Sequence, residues 1–176
     1  MKKIMVAGGS VDLETLGLPA TIDDFLPKKE FQEFLRFVTD AEFPWHRGYK
    51  VTDSKEPTQI QLRHVFKHLE YGVSNHYEGF APIEDKFDKV VKAKLNLTFS
   101  SGEHQLGGWH YDYDKKSDNT LAILYLNDNN GFTLLEDGTR FNSKANRLVL
   151  FDNVSHTDVT QTDTEERMVL NIGFIA

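Results

Sequence analysis

Thr120-Leu121-Ala122-Ile123-Leu124-Tyr125-Leu126, followed one residue later by Asp128-Asn129-Asn130-Gly131, is the stretch that decides the fold. A run this short, apolar almost throughout and closed by turn-forming residues, predicts a strand covered on both faces. The segments around it repeat the pattern. Lys94 to Phe99 alternates and places Leu95, Leu97 and Phe99 on one face, Glu136-Asp137-Gly138 is a second turn, and Leu148 to Phe151 and Met168 to Ile175 read as further strands. Upstream of about Lys92 the periodicity becomes helical. Pro27 suits the first turn of a helix in which Phe31, Phe34, Leu35 and Val38 fall at i, i+3, i+4 and i+7, and Pro44 closes that segment. A second helix is expected from about Thr58 to Tyr71, with Ile60, Leu62, Val65, Phe66 and Leu69 as its apolar face and Gly72 as its stop. A third, shorter one is expected between Pro82 and Val91. Short antiparallel strands preceded by helices predict a mainly β fold with flanking helices. The architecture expected is a double-stranded β-helix (a cupin-like jelly roll) with N-terminal helices packed on one sheet. Residues 1–176 are expected to form a single domain, about 1–92 as helical support and about 93–176 as the jelly-roll core.

Composition narrows the function classes. A net charge of −7 argues against a broad nucleic-acid surface, which carries a basic footprint. The absence of cysteine removes disulfides, thiolate metal sites and cysteine nucleophiles together. Met1-Lys2-Lys3 before Ile4-Met5-Val6-Ala7 begins like a secretion signal, but Gly8, Gly9 and Asp12 cut the apolar stretch short, so a cytoplasmic location is expected. No run is long enough to span a membrane. Gly8-Gly9-Ser10 lacks the strand, spacing and lysine of a phosphate loop and reads as a flexible end.

The chemistry concentrates in Trp109-His110-Tyr111-Asp112, in His156 and in Arg167. His110 and Asp112 are one residue apart, so on an extended strand both side chains point the same way. Asp114 would share that face if the strand continues, and it competes with Asp112. Gly107-Gly108 permits a tight approach to this strand. His156 follows the apolar Leu148-Val149-Leu150-Phe151 and a polar turn, which puts it at a barrel rim. Two histidines and one carboxylate are the set that holds non-haem Fe(II) on one face and leaves the opposite positions open. Arg167 opens an apolar run in which Val169 and Asn171 share its face, and a buried guanidinium there needs an anionic partner. Singly, each of these residues reads as an ordinary loop or surface side chain; together they support one another. His64 and His68 have a spacing that on a helix can hold zinc, but Val65-Phe66-Lys67 between them lacks the glutamate of a zinc peptidase, so surface or packing roles are expected. Trp45, Tyr49 and residues 52–57 read as a surface loop, with a lid over the site as the alternative.

From about Lys94 to Phe174 the chain resembles the catalytic core of Fe(II)/2-oxoglutarate-dependent oxygenases, and within them the prolyl 4-hydroxylase-like group. The matching pieces run in order: Lys94-Leu95-Asn96-Leu97, His110-Tyr111-Asp112, Leu124-Tyr125-Leu126-Asn127, Asn130-Gly131-Phe132-Thr133, Asn146 to Asp152, His156, and Arg167 to Asn171. The resemblance implies that His110, Asp112 and His156 bind Fe(II), that Arg167 holds the distal carboxylate of 2-oxoglutarate, and that the Tyr125 hydroxyl joins that arginine. It places Asn96 or Phe99, which face opposite ways, at the cosubstrate pocket. It further implies O2 as co-reactant and ascorbate as reductant. The implied activity is hydroxylation of a C–H bond, with a prolyl or other residue of a peptide or protein favoured as substrate. The alternatives are a nucleic-acid or small-metabolite oxygenase of the same class and, from another class, a non-catalytic jelly-roll module binding a metal or small ligand. Two departures bear on the substrate: prolyl hydroxylases often carry lysine where Arg167 stands, and their Gly-Gly-x-Thr turn is here Asn130-Gly131-Phe132-Thr133.

Overall fold

The computed structural model describes residues 3–48 and 60–175. The chain opens with a hairpin, β1 (Lys3–Val6) and β2 (Gly9–Asp12), then α1 (Leu13–Leu16), β3 (Ala20–Ile22), α2 (Lys28–Val38) and β4 (His46–Gly48). Next come β5 (Gln61–His68), β6 (Gly72–Val73), α3 (Ala81–Glu84) and the long β7 (Lys89–Phe99). The second half is all strand: β8 (Thr120–Tyr125), β9 (Phe132–Leu135), β10 (Arg140–Asn142), β11 (Arg147–Asp152), β12 (His156–Val159) and β13 (Glu166–Ile175). A large antiparallel sheet runs β3-β11-β8-β13-β7-β5-β4, with β6 pairing β5, and a small sheet runs β10-β9-β12. The two face each other as the halves of a double-stranded β-helix. No helix among the described residues is long and apolar enough to cross a membrane.

Strand alternation explains why the large sheet is covered on both sides. On β8, Ala122 and Leu124, with Leu126 just past its end, join an outer core, while Leu121, Ile123 and Tyr125 point inward against Leu135 and Phe141 of the small sheet. On β13, Met168, Leu170, Ile172 and Phe174 belong to the outer core, which leaves Arg167, Val169 and Asn171 on the inner face. The outer core is capped by α2, whose Phe31, Phe34 and Val38 are buried at the expected helical spacing.

Four expectations for the first half of the chain are overturned. The segment expected as a helix from Thr58 to Tyr71 is β5, eight residues of strand; its beginning, Thr58 and Gln59, lies outside the described residues. Leu62, His64 and Phe66 alternate toward the outer core, whereas Ile60 and Leu69, needed for a helical apolar face, are exposed. The tertiary reason is β7, whose long edge would otherwise leave its ladder groups unpaired. The helix expected between Pro82 and Val91 shrinks to α3, because Lys89 and Val90 already pair as strand. The first 92 residues are therefore not mainly helical, and β3, β4 and β5 complete the large sheet. Gly8-Gly9-Ser10 is no loose end either. Gly8 lies in the turn of the β1–β2 hairpin and Gly9 and Ser10 open β2, and the hairpin is tied down by the fully buried Ile4 and by hydrogen bonds from Met5 N to Lys86 O (2.8 Å) and Ala7 N to Phe25 O (3.0 Å). Trp45 packs on Phe43 and donates from its indole to Val38 O at 3.1 Å; Tyr49 and residues 52–57 lie outside the described residues.

Candidate metal and cosubstrate site

The site lies between the two sheets. His156 opens β12, and its backbone exchanges two hydrogen bonds with His110, each 3.0 Å, as an isolated antiparallel bridge. Directly opposed residues project to the same face, so this bridge brings together two histidines far apart in sequence, with ring centroids 4.5 Å apart. The bridged segment hugs β12 closely. A Cβ on Gly107 would stand 2.3 Å from Asp158 Oδ1, which is why glycine is needed there. After His110 the chain bends instead of continuing as strand, which turns Asp112 inward and leaves Asp114 exposed, accepting from Lys116 N at 3.1 Å.

His110, Asp112 and His156 present ligand atoms all within 4.8 Å of one another. Each histidine holds its Nδ1 against a backbone carbonyl, His110 to Gly108 O at 2.9 Å and His156 to Val154 O at 3.0 Å. Nδ1 therefore carries the proton and Nε2 keeps its lone pair for the shared centre, the arrangement that orients a metal-binding imidazole. Burial, together with the neighbouring His156, lowers the pKa of His110 and favours the neutral ring. Asp112 is enclosed, which by itself would raise its pKa. The His156 ring at 3.6 Å, which helps only while no metal is bound and its Nε2 carries a proton, and the Lys92 ammonium at 2.7 Å outweigh this and hold the carboxyl well below the usual range. Lys92 takes Oδ1, so Oδ2 faces the histidines.

Deeper in the same cavity, of about 210 Å³, lies Arg167, which is 3% exposed. Its Nε donates to Ser143 Oγ (3.1 Å) and one terminal nitrogen donates to Thr133 Oγ1 (3.3 Å), but it makes no ion pair among the described residues. Tyr125 is fully buried with its ring 5.5 Å from the guanidinium. Its hydroxyl sits 2.8 Å from Thr133 Oγ1 and 3.1 Å from Phe141 O, so Thr133 links the tyrosine to the arginine. Gly131 lets the arginine stem pass, since a Cβ there would meet Arg167 Cδ at 2.9 Å. Asn96 points into the cavity and Phe99 away from it. Three buried polar atoms on the cavity wall, Asn96 Oδ1, Thr98 Oγ1 and Asn171 Oδ1, have no partner among the described residues, and each such atom costs about 1–3 kcal/mol unless a ligand or water satisfies it.

The six residues expected at the site thus line or abut one cavity. Thr133, visible only as part of a turn motif, and Ser143, Thr98 and Lys92, which nothing in the sequence marks, complete it. His64 and His68 part company. His64 packs between Phe43 and Phe66 with its ring nitrogens at Pro44 O (2.9 Å) and Ser74 Oγ (3.1 Å), whereas His68 stacks on Tyr71.

No protein-family model matches the chain, and no curated protein matches it. Solved structures do share its fold. A prolyl hydroxylase from Trichoplax adhaerens, in complex with a hypoxia-inducible-factor peptide fragment, superposes with a TM-score of 0.63 at 14% identity, over 93% of this chain and 85% of that one. A Pseudomonas putida prolyl-4-hydroxylase gives 0.60 at 16% identity over 92% and 95% of the two chains. A 2OG-Fe(II) oxygenase family oxidoreductase from Burkholderia pseudomallei gives 0.60 at 11% identity over 85% and 80%. The protein shares the double-stranded β-helix of these oxygenases over most of its length.

Proposed function

We propose that this chain is an Fe(II)- and 2-oxoglutarate-dependent oxygenase that hydroxylates a C–H bond. One observation carries the reading: a cluster of two histidines and one carboxylate shares a cavity with a buried arginine that has no acidic partner among the described residues. The donor set suits Fe(II), and the unpaired guanidinium with the orphaned Thr98 hydroxyl, which can donate, suits a small dicarboxylate. O2 would supply the oxidising power, activated by bound Fe(II) with 2-oxoglutarate as co-reductant: one oxygen atom would enter succinate, formed with CO2 from 2-oxoglutarate, and the other the substrate C–H bond. The chain's own part is positioning. His110 and His156 offer Nε2 because their Nδ1 protons are committed to backbone carbonyls. Asp112 offers Oδ2 because Lys92 takes Oδ1. Arg167, steadied by Ser143 and Thr133, presents a fork to the far carboxylate, and Tyr125 packs beneath it away from water.

For the substrate, the reading is a peptide or protein side chain, prolyl residues foremost. Support comes from the fold shared with two proteins described as prolyl hydroxylases and from Trp109 and Tyr111, aromatic neighbours of His110, of which Tyr111 lines the cavity. A screen for substrate-stimulated succinate release should select a peptide. Addition of one oxygen to a free metabolite or nucleobase, without turnover of any peptide, would decide against it.

Anaerobic titration should show one Fe(II) per chain and a sharp loss of affinity in His156→Ala. Arg167→Ala should keep iron but weaken 2-oxoglutarate binding by about two to three orders of magnitude. Losing one partner of a desolvated ion pair costs roughly 3–5 kcal/mol, at about 1.4 kcal/mol per tenfold. Near wild-type 2-oxoglutarate affinity in that variant would leave a non-catalytic metal-binding module as the better reading.

A further inference from the structure

We infer that the substrate of this site carries an anionic group, a carboxylate or a phosphate, which seats against Lys94 and Arg63 beside the metal cavity; the inference rests on the oxygenase reading and names the substrate class for it. The argument starts from strand register. Residues directly opposed on antiparallel strands share a face. Asn96 is paired with Arg63 on one side and Val169 on the other, Lys94 with Val65 and Asn171, and Lys92 with His68 and Gly173. Three cations, Arg63, Lys92 and Lys94, therefore stand in successive rows of one sheet face, with His68 at its end. Lys92 and Lys94 form the wall common to the metal cavity and an adjoining groove of about 430 Å³, into which Arg63 and His68 also project.

Two carboxylates, Asp112 and Asp158, line the cavity near this wall and act on Lys94 through space, but neither bonds it. Asp112 is held by Lys92 and belongs to the metal group, and Asp158 is packed against Gly107 on the opposite side. Lys94 is partly buried, and neither it nor Arg63 makes an ion pair or side-chain hydrogen bond among the described residues. Burial, with Lys92 beside it, pulls the Lys94 pKa down to about 8. Free surface lysines are solvated and need no partner, but an ammonium enclosed in a cavity wall does. The row also contains the orphaned Asn171 Oδ1, which an ammonium or a ligand donor would satisfy. A chain of net charge −7 has placed this cationic wall at its reactive centre, where an acid is drawn in and oriented.

Arg167 does not serve this group. It pairs in register with Thr98, four residues from Lys94 on β7 and about 13 Å along the strand, whereas the two carboxylates of a five-carbon diacid lie only about 5 Å apart. Cosubstrate and substrate acids thus have separate cations. At the far end of the groove, Tyr71, 81% exposed and stacked on His68, offers an aromatic lip for the rest of the substrate.

The test separates the two acids. Metal-free protein is titrated with inorganic phosphate and, separately, with acetate while backbone amide signals are followed by NMR. Signals of Val65, Lys94 and Asn171 should move with at least one probe, and the probe that binds tighter identifies the oxyacid. Lys94→Met should weaken that response by about tenfold or more, equivalent to about 1.4 kcal/mol. Arg63→Gln should weaken it in the same direction, and Lys29→Met, on an exposed lysine of α2, should leave it unchanged. In zinc-loaded protein, calorimetry should find 2-oxoglutarate affinity intact in Lys94→Met and lost in Arg167→Ala. Unmoved signals in the wild type, or a wild-type response in both Lys94→Met and Arg63→Gln, overturn the proposal. So does loss of 2-oxoglutarate binding in Lys94→Met, which would make Lys94 a cosubstrate residue. An anion response at Lys94 in a protein that binds no 2-oxoglutarate would instead sink the oxygenase reading and leave an anion site of another activity.

Discussion

Lys92 decides how Asp112 is presented. Its ammonium, 2.7 Å from Oδ1 and 5.6 Å from the centre of the Tyr113 ring, pins one carboxylate oxygen and keeps the group ionised in an enclosed place. Partners of this kind orient a ligand without touching the metal, and their loss typically costs about 10–100-fold in metal affinity. Lys92→Met should therefore weaken Fe(II) binding by about that factor in anaerobic titration. Unchanged affinity would show the ion pair to be incidental. Lys92 was illegible in the sequence because lysines are common and its role depends on a carboxylate reached through space. His110, His156 and Arg167 were legible for the opposite reason: few chemistries need these residue types beside apolar strands. The choice between Asp112 and Asp114 depended on the bend after His110, which spacing does not contain.

Among the elements, β5 and α2 make the instructive contrast. The apolar residues of α2 sit at one helical spacing, and its buried face is the one expected. In β5 the apolar residues fit a helical face as well as a strand, and local periodicity cannot choose between them. The free edge of β7 makes the choice. A consequence is that Phe66, fully buried with its ring within 6.5 Å of those of Phe34, Phe37, Phe43 and Phe80, joins the strand to the helix. Phe66→Ala should cost about 3–5 kcal/mol of stability, read from the shift of the denaturant midpoint. A cost under about 1 kcal/mol would mean that β5 does not seal this core.

For the whole molecule, the site is a joint between the two sheets. His156 and Thr133 come from the small sheet, Arg167 and Asn96 from the large one, and His110 and Asp112 from the segment that bridges to β12. A ligand that binds only this assembled state stabilises it by mass action, about 2.7 kcal/mol at a hundredfold excess over its dissociation constant. For a chain of this length that corresponds to a rise in Tm of about 5–10 °C with a divalent ion. The shift should vanish in His156→Ala; an equal shift in that variant would place the ion elsewhere. The sequence by itself determined the strand-rich second half, the faces of β8 and β13, α2, and the residue types able to hold a metal and a dicarboxylate. Alternation and side-chain chemistry are local properties, written residue by residue. The tertiary structure alone decided that β5 is a strand, that Asp112 and not Asp114 turns inward, that Nε2 of each histidine is left free, and that Lys92 and Lys94 share a wall. Each of these depends on a hydrogen-bonding or charged partner, most of them supplied by a distant part of the chain, and only folding brings all of them within reach.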